Sequence, residues 1–128
     1  MNAWEGIAFE KVCLEHVSQI CSALGIAGIT TQTSAWTGNF EEEGAQIDLL
    51  IDRADRVINL CEMKFSNDNY SITKKYADEL KRKLRVFAGA TQTKKALQPV
   101  LVTTYGIARN NYSDTYINKQ VTMEDLFS

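Results

Sequence analysis

Asp48, Glu62 and Lys64 stand inside the two most apolar stretches of this chain, Gln46-Ile47-Asp48-Leu49-Leu50-Ile51-Asp52 and Val57-Ile58-Asn59-Leu60-Cys61-Glu62-Met63-Lys64-Phe65. Charges so placed lose hydration and need compensation. Side chains alternate along a strand, so Glu62 and Lys64 share a face of the second stretch, and Asp48 shares a face of the first with Gln46 and Leu50. If a hairpin closes around Ala54, Asp55 and Arg56, position 48 falls opposite position 62, with Lys64 next along. Two carboxylates that close repel each other, and a divalent cation relieves the repulsion. Mg2+, or Mn2+ in its place, suits oxygen donors, and Mg2+ keeps several waters, which leaves room for a phosphate and an attacking water. The expected chemistry is hydrolytic. The cation polarises a phosphoryl oxygen and activates water, while the Lys64 ammonium stabilises developing charge or orients the nucleophile. The competing reading is an ordinary ion pair between Glu62 and Lys64 with Asp48 in solvent at a sheet edge, and the apolar neighbours weigh against it.

The elements that must position these groups follow from periodicity. From Trp4 to Leu24 apolar residues recur at helical spacing up to Gly25, which predicts one long amphipathic helix. Glu10 falls within its stripe of Cys13, Leu14, Val17 and Cys21 and so points inward, where a carboxylate needs compensation and hints at a functional role; the alternative is that its place near the helix N-terminus suits its charge. Ile29 to Trp36 reads as a strand and Thr37 to Gly44 as a polar turn whose acidic run, Glu41, Glu42 and Glu43, belongs in solvent. The two apolar stretches form a β-hairpin of central strands, covered on both faces. Thr73 to Ala88 predicts a second amphipathic helix with its stripe at Tyr76, Ala77, Leu80, Leu84 and Phe87, ended by Gly89. Pro99 to Thr103 is a short buried strand, parallel to the second hairpin strand by a right-handed crossover. Tyr105 to Asn118 is expected to be a loop with one short helix. Gln120 to Thr122 would make an edge strand, and Thr122-Met123-Glu124-Asp125 has capping-box form. The result is one α/β domain with a mixed sheet of four to five strands between helices.

With 128 residues, of which 45% are hydrophobic and 23% charged, the chain suits a single domain. No stretch has the apolar length of a membrane span, and the N-terminus lacks signal-peptide form, so a cytoplasmic protein is expected, without membrane contact. Cys13, Cys21 and Cys61 never take C-x-x-C spacing and His16 is the only histidine, so a zinc site lacks ligands and the thiols should be buried and reduced. The net charge of −2 excludes a uniformly basic surface, yet it conceals a division. Residues 1–66 carry ten acidic and four basic side chains, whereas residues 74–95 carry eight basic and two acidic. The second segment is therefore a candidate polyanion contact, through Lys74, Lys81, Arg82 and Arg85, although a basic helix face is usually only a solvated one.

The order Glu10 on a first helix, Asp48 on a strand, then Glu62-Met63-Lys64 on the next strand, followed by an amphipathic helix and a buried strand, resembles the PD-(D/E)XK nuclease superfamily over nearly the whole chain. The resemblance implies a restriction-endonuclease-like three-layer core. It implies metal ligation by Asp48 and Glu62 with the Met63 carbonyl, a catalytic role for Lys64 and a supporting one for Glu10. Ile47 replaces the superfamily's proline before the aspartate, which leaves the charged atoms in place. Trp4-Glu5-Gly6-Ile7-Ala8-Phe9-Glu10, Gly44-Ala45-Gln46-Ile47-Asp48 and Cys61-Glu62-Met63-Lys64-Phe65-Ser66 also resemble the C-terminal region of uncharacterised bacterial and archaeal AAA-type ATPases. That likeness implies a domain that follows an ATPase module, in which case the chain is a fragment of a longer one; no G-x-x-x-x-G-K-[ST] loop occurs in these residues. The expected activity is Mg2+-dependent hydrolysis of DNA. The alternatives are a non-catalytic domain that binds DNA or docks on an ATPase, and a homodimerisation domain using Tyr105, Tyr112 and Tyr116.

Overall fold

The two apolar stretches pair as antiparallel strands, β2 (Glu43–Arg53) and β3 (Val57–Lys64), and the rest of the fold covers their two faces. The structure is a computed structural model, which describes residues 3–117 and 119–127. Three residues, Ala54, Asp55 and Arg56, close the hairpin, with Arg56 in the left-handed region at φ 68°. This loop length sets the register of Leu49 with Cys61, Leu50 with Leu60, Ile51 with Asn59 and Asp52 with Ile58.

Around this hairpin the sheet takes the order β1-β2-β3-β4-β5, where β1 is Thr31–Phe40, β4 is Ala96–Thr103 and β5 is Lys119–Thr122. β1 to β3 form an antiparallel meander, and β4 and β5 add in parallel. The sheet is mixed, as the alternation of hairpin and helical crossover requires. The crossover from β3 to β4 is α3 (Lys74–Thr91), capped by the Thr73 hydroxyl, which accepts the Tyr76 N–H at 3.2 Å.

Three layers result. On one face α1 (Ala3–Leu14), α2 (Val17–Ala23) and α5 (Met123–Leu126) bury Phe9, Cys13, Ile20 and Leu126 against Leu49, Ile51, Cys61, Met63, Val100, Val102 and Val121. On the other, α3 lays Tyr76, Ala77, Leu80 and Phe87 over Ile47, Leu50, Ile58, Leu60 and Leu101. A short α4 (Asn111–Tyr116) packs on α3. Among the described residues no helix is long and apolar enough to cross a membrane, and all three cysteines are buried and free.

Several predicted boundaries move, each for a local reason. The single helix expected from Trp4 to Leu24 breaks at Glu15 and His16, where Nδ1 of His16 engages the Val12 carbonyl at 2.7 Å and competes with the helical ladder. The polar turn expected at Thr37 to Gly44 shrinks to Glu41 and Glu42. Both have positive φ, 50° and 69°, the backbone form that joins two strands through a two-residue turn. Gly89 does not end α3. The helix continues to Thr91, and Gly89 instead lets the Phe40 ring approach, since a Cβ there would stand 2.5 Å from it.

Candidate functional site

At the end of the β2–β3 ladder the backbone pairing gives way to side chains. One step beyond Leu49 and Cys61, Asp48 lies beside Glu62; Oε2 of Glu62 accepts the Asp48 N–H at 3.0 Å, and Oδ2 of Asp48 accepts the Met63 N–H at 2.9 Å. The two carboxylates thus take over the work of the missing ladder bonds. They meet as expected from the hairpin register, but not through simple alternation. β1 pairs Ser34 with Leu50 and Trp36 with Ile47, so Ala35 alone faces Asp48 and Leu49 in a β-bulge. The bulge puts Ile47 on the same face as Leu50 and takes Asp48 out of the face it was expected to share with Gln46 and Leu50. Asp48 stands between layers, where its charge acts on Glu10 and Cys13 of α1 and on Glu62 and Tyr76 on the α3 side.

Glu62 is only 4% exposed. Burial first and the Asp48 charge second raise its pKa above the ordinary value of 4.5, against the downward pull of Lys83 and of the Asp48 N–H. Glu10, partly buried on α1, is raised by the same two causes in the same order, so the inward orientation read from the helix stripe places it in this acidic field.

The lysine at the carboxylates is Lys83 of α3. Its Nζ bonds Oε1 of Glu62 among Ile47, Leu60, Leu80, Leu84 and Pro99. Lys64, expected to meet the two acids, lies instead with Nζ 4.7 Å from the centroid of the Tyr76 ring, without an ion pair among the described residues. Tyr76 is 7% exposed and its Oη has no hydrogen-bond partner among those residues. Sequence reasoning missed both Lys83 and Tyr76 as site residues, although a signal existed. Lys83 follows Tyr76 by two helical turns and so returns to the apolar stripe of α3, where a charge requires a partner.

The four basic residues expected to touch nucleic acid lie on the outer side of α3, already engaged. Lys74 pairs with Asp78 at 3.1 Å, and Lys81 lies 5.1 Å from the Tyr116 ring centroid. Arg82 donates to the Gly44 carbonyl, and Arg85 pairs with Glu43 at 2.6 Å. Exposed pairs of this kind contribute little to stability. Of the tyrosines expected at a dimer interface, Tyr112 and Tyr116 are partly buried and pack against the core beside α3, and Tyr105 is exposed.

The candidate metal donors gathered here are hard oxygens, the Asp48 and Glu62 carboxylates, with the Met63 N–H bonded to Asp48. No group of three or more His, Cys, Asp or Glu side chains able to hold a metal occurs among the described residues. The Asp48 and Glu62 carboxylates offer oxygen donors of the kind that Mg2+ takes, one or two carboxylates with waters completing its shell.

The chain matches no family model and no curated protein. It is similar in fold to a crystal structure described as a protein of unknown function, AF1548, with a TM-score of 0.60 and 15% identity over 92% of this chain. The chain spans 64% of the length of that structure.

Proposed function

We propose that this domain is a divalent-cation-dependent phosphodiesterase acting on DNA, a member of the PD-(D/E)XK superfamily. The observation that carries the reading is the convergence of Asp48 and Glu62, fixed by each other's strands, where burial and the Asp48 charge raise the Glu62 pKa. Asp48 and Glu62, with the Met63 carbonyl, are the groups that would hold Mg2+ or Mn2+, which would supply Lewis acidity toward a phosphoryl oxygen and a bound water. Lys64, without a carboxylate partner among the described residues, offers its ammonium to the negative charge that develops on the phosphate. Glu10 adds to the field that attracts the cation. The outer face of α3 supplies exchangeable cations for the DNA backbone, which position the substrate without reading its sequence.

A second reading, docking on a larger assembly such as an ATPase, draws on α1. Trp4 and Ile7 are 74% and 67% exposed and share an outer face with Leu14, although the opposite face of the same helix is already buried in the core. A helix apolar on both sides suits a position between two bodies. The two readings are compatible.

Nicking of supercoiled plasmid in Mg2+ or Mn2+ is the test. Wild-type protein should nick; Asp48→Asn and Lys64→Ala should lose nicking while keeping the fold by circular dichroism. Cleavage that survives Asp48→Asn at the wild-type rate would count against the assignment.

A further inference from the structure

Lys83 enters the site from α3, not from the strand that carries Lys64, and it engages the carboxylate most deeply buried there. Both oxygens of Glu62 are taken: Oε1 by the Lys83 ammonium and Oε2 by the Asp48 N–H. The Glu62 and Lys83 side chains are 5% and 17% exposed and the surround is apolar, so Glu62 has little water to stabilise its charge. Lys83 does for Glu62 what a divalent cation would do, and two cations at one carboxylate oxygen repel.

We propose that Lys83 is the resident counter-ion of Glu62, and that a divalent cation binds the carboxylate pair by displacing the Lys83 ammonium toward solvent. The inference rests on the metal reading above and deepens it, because it makes cation binding and release of Lys83 one event. Lysine suits such a displacement, since its four methylenes can stay on the apolar surface while the ammonium moves out to water. A second observation points to a ligand. Tyr76 is buried with an unpartnered Oη in the field of Glu62 and Asp48, and few buried hydroxyls stay unpaired. An oxygen carried in by the cation would give it an acceptor.

The test is a calorimetric titration of Mn2+ into the whole chain at about pH 8, above the ordinary carboxylate range, for wild type, Lys83→Met, Lys83→Arg and Glu62→Gln. Lys83→Met should bind about tenfold more tightly than wild type, Lys83→Arg about as wild type, and Glu62→Gln not at all. In wild type, saturating Mg2+ should raise the rate of reductive methylation at Lys83 relative to Lys81, read by mass spectrometry. That measurement decides the matter if Lys83→Met does not fold. Binding no tighter in a folded Lys83→Met, or methylation of Lys83 unmoved by Mg2+, overturns the inference and leaves the metal reading standing. Failure of wild type, Lys83→Met and Lys83→Arg alike to take Mn2+ at about millimolar concentration overturns both. Binding by Lys83→Met alone would support both.

Discussion

Asp48 and Glu62 hold each other's strands: Glu62 accepts the backbone N–H of Asp48 at 3.0 Å, and Asp48 accepts that of Met63, the neighbour of Glu62, at 2.9 Å. Each carboxylate is thus part of the sheet as well as of the site. The arrangement fixes their separation without any cation, which is the preorganisation that a binding site requires. It also means that removing a carboxylate can damage the fold and the chemistry together, so variants must be chosen to part the two.

Asp48→Asn and Asp48→Ala separate them. The amide keeps an oxygen for the Met63 N–H, so its stability should stay within about 1 kcal/mol of wild type, whereas alanine leaves that N–H unpaired and should lose about 1–3 kcal/mol. Cation binding should vanish in both. Urea denaturation and Mn2+ calorimetry check the two halves, and an asparagine variant as unstable as the alanine one would show that the charge, not the acceptor, holds the strand.

The two lysines should behave oppositely. Lys64 rests on the Tyr76 ring, a contact worth about 0.5–1 kcal/mol at a partly exposed site, so Lys64→Ala should unfold almost as wild type and lose cleavage. Lys83→Ala strands a buried carboxylate and should destabilise by about 3 kcal/mol at neutral pH. Without its partner the Glu62 carboxyl takes up a proton more readily, so this deficit should shrink as pH falls. Urea midpoints at neutral and acid pH decide it, and equal losses for both lysines would contradict the assignment.

Tyr76→Phe should stabilise the cation-free protein by about 1 kcal/mol. The hydroxyl is buried without a partner, a state that carries a desolvation penalty and no compensating bond, while the ring keeps its packing on Ile72, Ala77 and Leu80. A lowered thermal midpoint in Tyr76→Phe would mean that the hydroxyl already has an acceptor in solution.

Much of this is legible in the sequence. Three turn residues between two apolar runs set a register, and the register alone brings position 48 beside position 62. The Val- and Leu-rich run from Pro99 to Thr103 announces a parallel central strand, and Asp125, three residues after Thr122, announces the cap of α5. What stays hidden depends on partners distant in the chain. The bulge at Asp48 and Leu49 exists only against Ala35 of β1, and alternation within β2 cannot reveal it. The break at His16 depends on a ring nitrogen capturing a carbonyl one turn back. Lys64 is near Glu62 in sequence, but the ammonium that reaches Glu62 comes from a helix 21 residues on.

Gly89 offers a test of packing in which two effects oppose each other. Alanine in a helix interior is favoured over glycine by about 1 kcal/mol. Here its methyl would meet the Phe40 ring at 2.5 Å, and forcing atoms into a packed site typically costs about 1–3 kcal/mol. The clash should win, so Gly89→Ala should lower stability by about 1 kcal/mol, and Phe40→Leu in the same chain should recover part of the loss. A more stable Gly89→Ala would mean that the Phe40 ring moves aside freely.

The acidic cluster also makes a prediction about pH whose sign follows from direction alone. Glu10 and Glu62 both have folded pKa values above their ordinary 4.5. A folded state that holds protons more tightly than the unfolded chain is favoured while they are bound, so this contribution is fully present below about pH 4.5 and is lost as pH rises through the raised values. Asp55, lowered chiefly by its hydrogen bond to Arg53, acts in the opposite direction at the far end of the hairpin. Glu10→Gln should remove part of the decline, so the variant should gain on wild type as pH climbs above 4.5, and saturating Mg2+ should offset the remainder by binding the ionised pair. The measurement is the urea midpoint of both proteins across that range with and without Mg2+. Parallel curves would place Glu10 outside the field of Asp48, and would withdraw it from the site.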